Sequence, residues 1–234
     1  MKIDIKVVLW DIDGTLLDFK KAESCALRES FKKLELGECG DESVSIYSEI
    51  NTKHWESLER GEISKAQVLE GRFKEFLAYM GMDISLALTL NRTYEGFLSR
   101  FIFYNDGALN VLKSLHGKVG QYAVTNGAKQ VQREKLERSM FNRYLDGAFI
   151  SDEIGFEKPM KGFFDAVFDS IGDYRKDEIM IIGDSLTSDI KGGRDAGIIT
   201  CRYNPQGKPY GEIKPDLEID DLKKVPELIG NGCE

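Results

Sequence analysis

Histidine is the scarcest reactive side chain in these 234 residues: there are two, His54 and His116, and neither can be assigned a Ser or Cys partner. A hydrolase triad built on imidazole is therefore not supported. The four cysteines, Cys25, Cys39, Cys201 and Cys233, are scattered, with no C-x-x-C pair and no paired histidine spacing. That argues against a zinc site and a disulfide scaffold, and for a reducing, cytoplasmic setting. No apolar run approaches the ~20 residues of a membrane-spanning helix, and no basic segment followed by an apolar one opens the sequence. Basic charge is short as well, 32 Lys and Arg against 40 Asp and Glu, a net −8. Nucleic acids and anionic membranes recruit an excess of Lys and Arg, so neither is expected as a partner. There is no internal repeat or low-complexity tract. What is present, 41% hydrophobic and 31% charged residues, is ordinary for a soluble globular protein of one large domain or two modest ones.

The chain is organised around Ile5 to Leu16, where a short apolar run reads as a buried parallel strand and ends in Asp11-Ile12-Asp13-Gly14-Thr15. In open α/β sheets the ligand crevice lies beyond the carboxyl ends of the strands, which puts Asp11 and Asp13 at that edge. One intervening residue allows one carboxylate to face the crevice and the other to curl beside it. An Asp-Gly turn is the plain alternative. A calcium loop of the EF-hand type is rejected, because its sixth position needs Gly and Leu16 stands there.

After this strand the pattern turns helical for about ninety residues. Asp18 can cap a helix through Ala22, Leu27, Phe31 and Leu34; a second covers Val44 to Leu58; Ser64 and Gln67 form a capping box before a third; Ser85 caps a fourth. These make a small inserted bundle over 18–105, which leaves 1–17 and 106–234 as the other domain. From Asn105 strands and helices alternate: helix Asp106 to Leu115, strand Gln121 to Val124, helix Lys129 to Met140, strand Ala148 to Ile150, a loop through Lys158-Pro159, helix Phe163 to Ile171, strand Ile179 to Ile182, a helix opened by Ser188 and stopped at Gly197, strand Ile198 to Arg202, a loop over 204–211, and helix Leu222 to Ile229. The fold class is α/β, a doubly wound, Rossmann-like parallel sheet with an inserted helical bundle.

Four strand ends then carry polar groups: Asp11 and Asp13; Thr125 and Asn126; Lys158; Asp184 and Asp189. Each has a dull explanation as a turn, a solvated loop residue or a helix first turn. Four at one edge of one sheet are harder to dismiss. In this pattern the chain resembles the haloacid dehalogenase-like (HAD) superfamily: D-x-D-G-T at 11–15, a strand ending in T-N-G at 125–127, K-P at 158–159 and G-D-x-x-x-x-D at 183–189. The helical insert resembles that superfamily's α-helical cap.

The resemblance implies a phosphohydrolase. Asp11 would be the nucleophile that forms an aspartyl phosphate, and Asp13 the general acid and later base. Mg²⁺ would be held by Asp11, the Asp13 carbonyl and Asp184, with Asp189 as a further ligand or anchor. Thr125, Asn126 and Lys158 would bind the phosphoryl oxygens. Dehalogenating relatives lack an aspartate at the place of Asp13, so phosphate chemistry is favoured. A phosphomutase, a sugar-phosphate or phosphoglycolate-type phosphatase, and a non-catalytic phospholigand-binding protein stay open as alternatives.

Within the superfamily the insert looks most like the bacterial noncanonical pyrimidine nucleotidase group, through Asn51 and Trp55, Gly61-Glu62-Ile63, Gly71-Arg72-Phe73, and the segment Val131 to Arg138. A nucleoside monophosphate is then the expected substrate, with Phe19 and Trp55 as candidate base-stacking residues. Trp55 and Phe73 fit a bundle core equally well. A monomer or homodimer is expected.

Overall fold

The computed structural model describes residues 3–230, so Cys233 lies outside the described residues. Six strands, β1 (Val7–Trp10), β2 (Gly120–Thr125), β3 (Gly147–Ile150), β4 (Ile179–Gly183), β5 (Ile199–Tyr203) and β6 (Leu217–Ile219), form one sheet in the order β3-β2-β1-β4-β5-β6. Every neighbouring pair is parallel. Parallel neighbours need a crossover, and the sequence supplies helices for it. The fold is the α/β core expected from the sequence.

Among the described residues ten α-helices accompany the sheet: α1 (Phe19–Lys33), α2 (Asp41–Glu59), α3 (Lys65–Tyr79), α4 (Ala87–Leu98), α5 (Ala108–Leu115), α6 (Lys129–Arg138), α7 (Ser151–Ile154), α8 (Lys161–Ile171), α9 (Lys191–Ala196) and α10 (Val225–Leu228). The chain divides into two compact units. Residues up to Asp18 and from Tyr104 onward make one, and Phe19–Phe103 the other.

In the sheet unit, Val7 and Leu9 of β1 are fully buried and pack with Val124, Phe163, Phe164, Val167, Ile179 and Ile181. On the other face of β1, Trp10 donates its indole N–H to Gln121 Oε1 at 3.2 Å, which satisfies the polar atom of a fully buried ring. Trp10 stands in register with Ala123 of β2 and Ile182 of β4. β4 runs one residue and β2 two residues past that level, to Gly183 and Thr125. The strand order changes direction between β1 and β4, and at such a switch point the connections diverge and leave a crevice at the carboxyl ends.

The helical unit packs Tyr47, Phe73, Phe76 and Tyr94 as a ring cluster, with Tyr47 and Phe73 centroids 5.0 Å apart. Beside it runs a buried polar chain: Asn51 donates to Glu23 (2.7 Å), and Arg72 donates to Asn51 (2.8 Å) and Asn91 (2.7 Å).

Several element ends differ from the sequence expectation. The helix expected from Asp106 starts at Ala108, because Gly107 adopts φ 80°. The helix expected to reach Met140 stops at Arg138, and Met140 itself has φ 58°. Asp83, not Ser85, supplies the cap before α4, its carboxylate accepting the Ser85 N–H at 2.9 Å. Ser185, not Ser188, opens the segment after β4, which is one π-helical turn over Leu186–Ile190 followed by α9. The closing helix is a 3₁₀ turn, Leu222–Lys224, and the short α10. β6 and α7 were not expected; three and four residues are too few for a periodic signal.

Candidate active site

β1 leaves the sheet at Asp11, whose N–H still bonds to the Ile182 carbonyl at 2.9 Å. The chain then winds tightly. The N–H groups of Leu16 and Leu17 both bond to the Ile12 carbonyl, and Gly14, at φ 101°, donates to the Leu17 carbonyl. The Asn105 amide donates to the carbonyls of Gly14 (3.2 Å) and Thr15 (2.8 Å), pinning the loop. A Cβ on Gly14 would lie 2.6 Å from Asp184 Oδ2, so only glycine admits that carboxylate here.

Asp11 is buried and held at both oxygens: Thr15 Oγ1 donates to Oδ2 (3.0 Å) and Lys158 Nζ to Oδ1 (2.9 Å). Lys158 is buried too, and its ammonium also donates to Asp189 Oδ1 (2.6 Å) and the Val124 carbonyl (2.8 Å). Asp189 takes a further bond from the Ser185 N–H (3.2 Å). Asn126 braces this lysine: its amide oxygen accepts the Lys158 N–H and its amide nitrogen donates to the Lys158 carbonyl, both at 2.8 Å. Thr125 Oγ1 accepts the Gly127 N–H at 3.2 Å.

One carboxylate oxygen from each of Asp11, Asp184 and Asp189 lies within 4.8 Å of the others. Burial first, then the charges of Asp189 and Asp184, push the Asp11 carboxyl well above the usual carboxylate range, against the pull of Lys158. Asp184 is pushed up to about 7, by burial and then by Asp189. Its own side chain is exposed at the crevice edge, so water tempers that rise. Burial works against the Lys158 ammonium, yet Asp11 and Asp189 outweigh it and raise its pKa above that of an ordinary lysine. With all three carboxylates ionised, one ammonium leaves two negative charges uncompensated; hard oxygen donors of this kind suit a divalent cation such as Mg²⁺, whose binding would favour that ionised state.

Asp13 is turned onto α6. Lys135 Nζ donates to its Oδ1 and Gln132 Nε2 to its Oδ2, each at 2.6 Å. Sequence reasoning missed both partners as site residues. The available signal was their i, i+3 spacing on one helix face, which does not distinguish a buried lysine from a solvated one.

A sequence profile of the haloacid dehalogenase-like hydrolases matches residues 8–202. The chain belongs to this family. It is 36% identical over 225 residues to the HAD-hydrolase YfnB of Bacillus subtilis (strain 168), covering 96% of this chain and 95% of that protein. It is 33% identical over 226 residues to pyrimidine 5'-nucleotidase PynA of Streptococcus pneumoniae (strain ATCC BAA-255 / R6), covering 96% and 94%. The crystal structure of Bacillus subtilis YfnB bound to magnesium matches with a TM-score of 0.91 at 34% identity, over 97% of this chain and 99% of that one. Family and relatives together support a phosphatase.

Of the residues singled out from sequence, the sheet unit brings together Asp11, Asp13, Thr125, Asn126, Lys158, Asp184 and Asp189, whereas Phe19 and Trp55 belong to the helical unit, both half-buried. Phe73 is fully buried in the ring cluster. His54 pairs with Glu75 at 2.9 Å and His116 lies 3.2 Å from the Tyr144 carbonyl. No helix among the described residues is long and apolar enough to cross a membrane.

Proposed function

We propose that this phosphatase hydrolyses nucleoside 5'-monophosphates, pyrimidine ones foremost, with Mg²⁺ and through an aspartyl phosphate on Asp11. The observation that carries the mechanism is the setting of Asp11: a carboxylate at the carboxyl end of the central strand, steadied by Thr15 and Lys158, with a second carboxylate two residues on. An oxygen of Asp11 attacks phosphorus, the bond to the leaving oxygen breaks, and Asp13 gives that oxygen a proton. Water then attacks the phosphoenzyme, gives its proton to Asp13, and releases phosphate and the Asp11 carboxylate. Lys158 and Thr125 offset charge on the phosphoryl oxygens, and Asn126 keeps Lys158 in place.

Asp11, the Asp13 carbonyl and Asp184 would hold the metal, with Asp189 as a further ligand or as the anchor of Lys158. When bound, Mg²⁺ supplies positive charge that draws the phosphate dianion into a protein of net charge −8. The choice of leaving group we assign to the helical unit as a cap. The pyrimidine preference rests on the nucleotidase among the relatives.

Asp11→Asn tests the core of this reading. Turnover should fall below about one thousandth of wild type, because an amide is no anionic nucleophile. The melting temperature in EDTA should hold or rise, since burial and neighbouring charges disfavour the ionised Asp11. Activity within tenfold of wild type would remove Asp11 from the mechanism.

A further inference from the structure

Lys135 is only 1% exposed, on a helix whose other charged residues are mostly solvated. Removing an ammonium from water costs several kcal/mol, so it needs a strong local reason. Its ion pair gives one: Nζ is 2.6 Å from Asp13 Oδ1. Gln132, one turn earlier on the same face, is equally buried and spends its amide N–H on Asp13 Oδ2 at 2.6 Å. Its amide oxygen is left buried without a hydrogen-bond partner. A side chain kept there at that cost is placed for its donor end. Gly127 makes the room, since a Cβ at that position would overlap the Gln132 amide.

We infer that Lys135 and Gln132 are positioning residues that clamp the two oxygens of Asp13 for its work as a base on the phosphoenzyme. This rests on the acid–base reading of Asp13 given above. Both partners donate, so the arrangement suits the ionised carboxylate, the form that accepts a proton. Each Asp13 oxygen keeps a lone pair for it. In the step concerned, water attacks phosphorus, its proton passes to an Asp13 oxygen, and the P–O bond to Asp11 breaks to return a carboxylate and inorganic phosphate. With the clamp loosened, this second step slows more than the first, provided the leaving group needs little protonation.

The test is stopped-flow release of p-nitrophenol from p-nitrophenyl phosphate with Mg²⁺ present, on wild type, Asp13→Asn, Lys135→Met and Gln132→Leu. Lys135→Met leaves Asp13 with Gln132 and water, and Gln132→Leu leaves the ion pair intact, so each stands as a check on the other's folding. Both should show a burst approaching one nitrophenol per enzyme and a steady rate down about tenfold to a hundredfold, part of the ~10²–10⁴ that a placed base is worth. Acid quenching should trap phosphate on the protein. Mere structural damage lowers amplitude and steady rate together and produces no burst. If Asp13→Asn bursts and the two clamp variants do not, the clamp is overturned while the role of Asp13 stands. If Asp13→Asn itself gives neither burst nor trapped phosphate, the base assignment fails and takes the clamp with it.

Discussion

Asp189 is fully buried, and its carboxyl group folds back so closely over the end of β4 that a Cβ on Gly183 would overlap it. Gly183→Ala must therefore push Asp189 away from Lys158 or bend the strand, an overpacking that costs about 1–3 kcal/mol. We expect a lower melting temperature and, because the freed lysine stands next to Asp11, a weaker response of activity to Mg²⁺. Calorimetry and a magnesium titration of activity check the two effects; an unchanged melting temperature would mean that Asp189 has room to move. At this scale the sequence was informative where a residue type is unusual for its place. Aspartates, a threonine and an asparagine at the ends of apolar strands stand out against a core pattern. Lys135 and Gln132 do not, because in a helix as polar as α6 nothing in the sequence separates a buried lysine from its exposed neighbours.

Among the elements, α3 has the most complete start: Ser64 accepts the Gln67 N–H and Gln67 accepts the Ser64 N–H, the reciprocal cap that the sequence spelled out. Ser64→Ala should cost about 0.5–2 kcal/mol. Gly96, near the end of α4, meets nothing within 4 Å of where its Cβ would stand, so Gly96→Ala should stabilise by about 0.5–1 kcal/mol. Opposite shifts in urea midpoints at constant slope are the expected pair; two shifts of one sign would show that the helical unit does not unfold as these local rules require. The same contrast explains which elements were legible. Strands β1 and β4 and helices α1 to α4 carry enough apolar residues to declare their period. Element ends depend on single backbone choices, such as the positive φ of Gly107 before α5 and of Met140 after α6 and the Asp83 and Ser185 caps, and β6 is three residues long. Neither a lone dihedral nor three residues makes a pattern.

For the whole molecule, chemistry and choice of substrate fall to different compact units in the reading proposed here. The sheet unit holds every group assigned to phosphoryl transfer; the helical unit holds Phe19 at the start of α1 and Trp55 in α2. Phe73 is committed to the ring cluster with Tyr47 and Tyr94, whereas Phe19 and Trp55 keep part of their surface in solvent, and the Trp55 ring lies 6.0 Å from the Arg72 guanidinium. A half-buried ring can stack on a base while its other face packs, and such stacking is worth about 1–3 kcal/mol, or roughly 5- to 150-fold in rate at limiting substrate. Wild type should therefore hydrolyse UMP and CMP with higher kcat/KM than hexose phosphates. Phe19→Ala or Trp55→Ala should erode that advantage by an amount in this range while changing p-nitrophenyl phosphate hydrolysis far less, with melting temperature followed to separate a lost contact from a damaged bundle. Equal losses on the nucleotide and on p-nitrophenyl phosphate would return both rings to packing. A wild-type preference for hexose phosphates would sink the nucleotidase proposal and leave the sheet unit's chemistry standing, because none of its assigned groups lies in the helical unit.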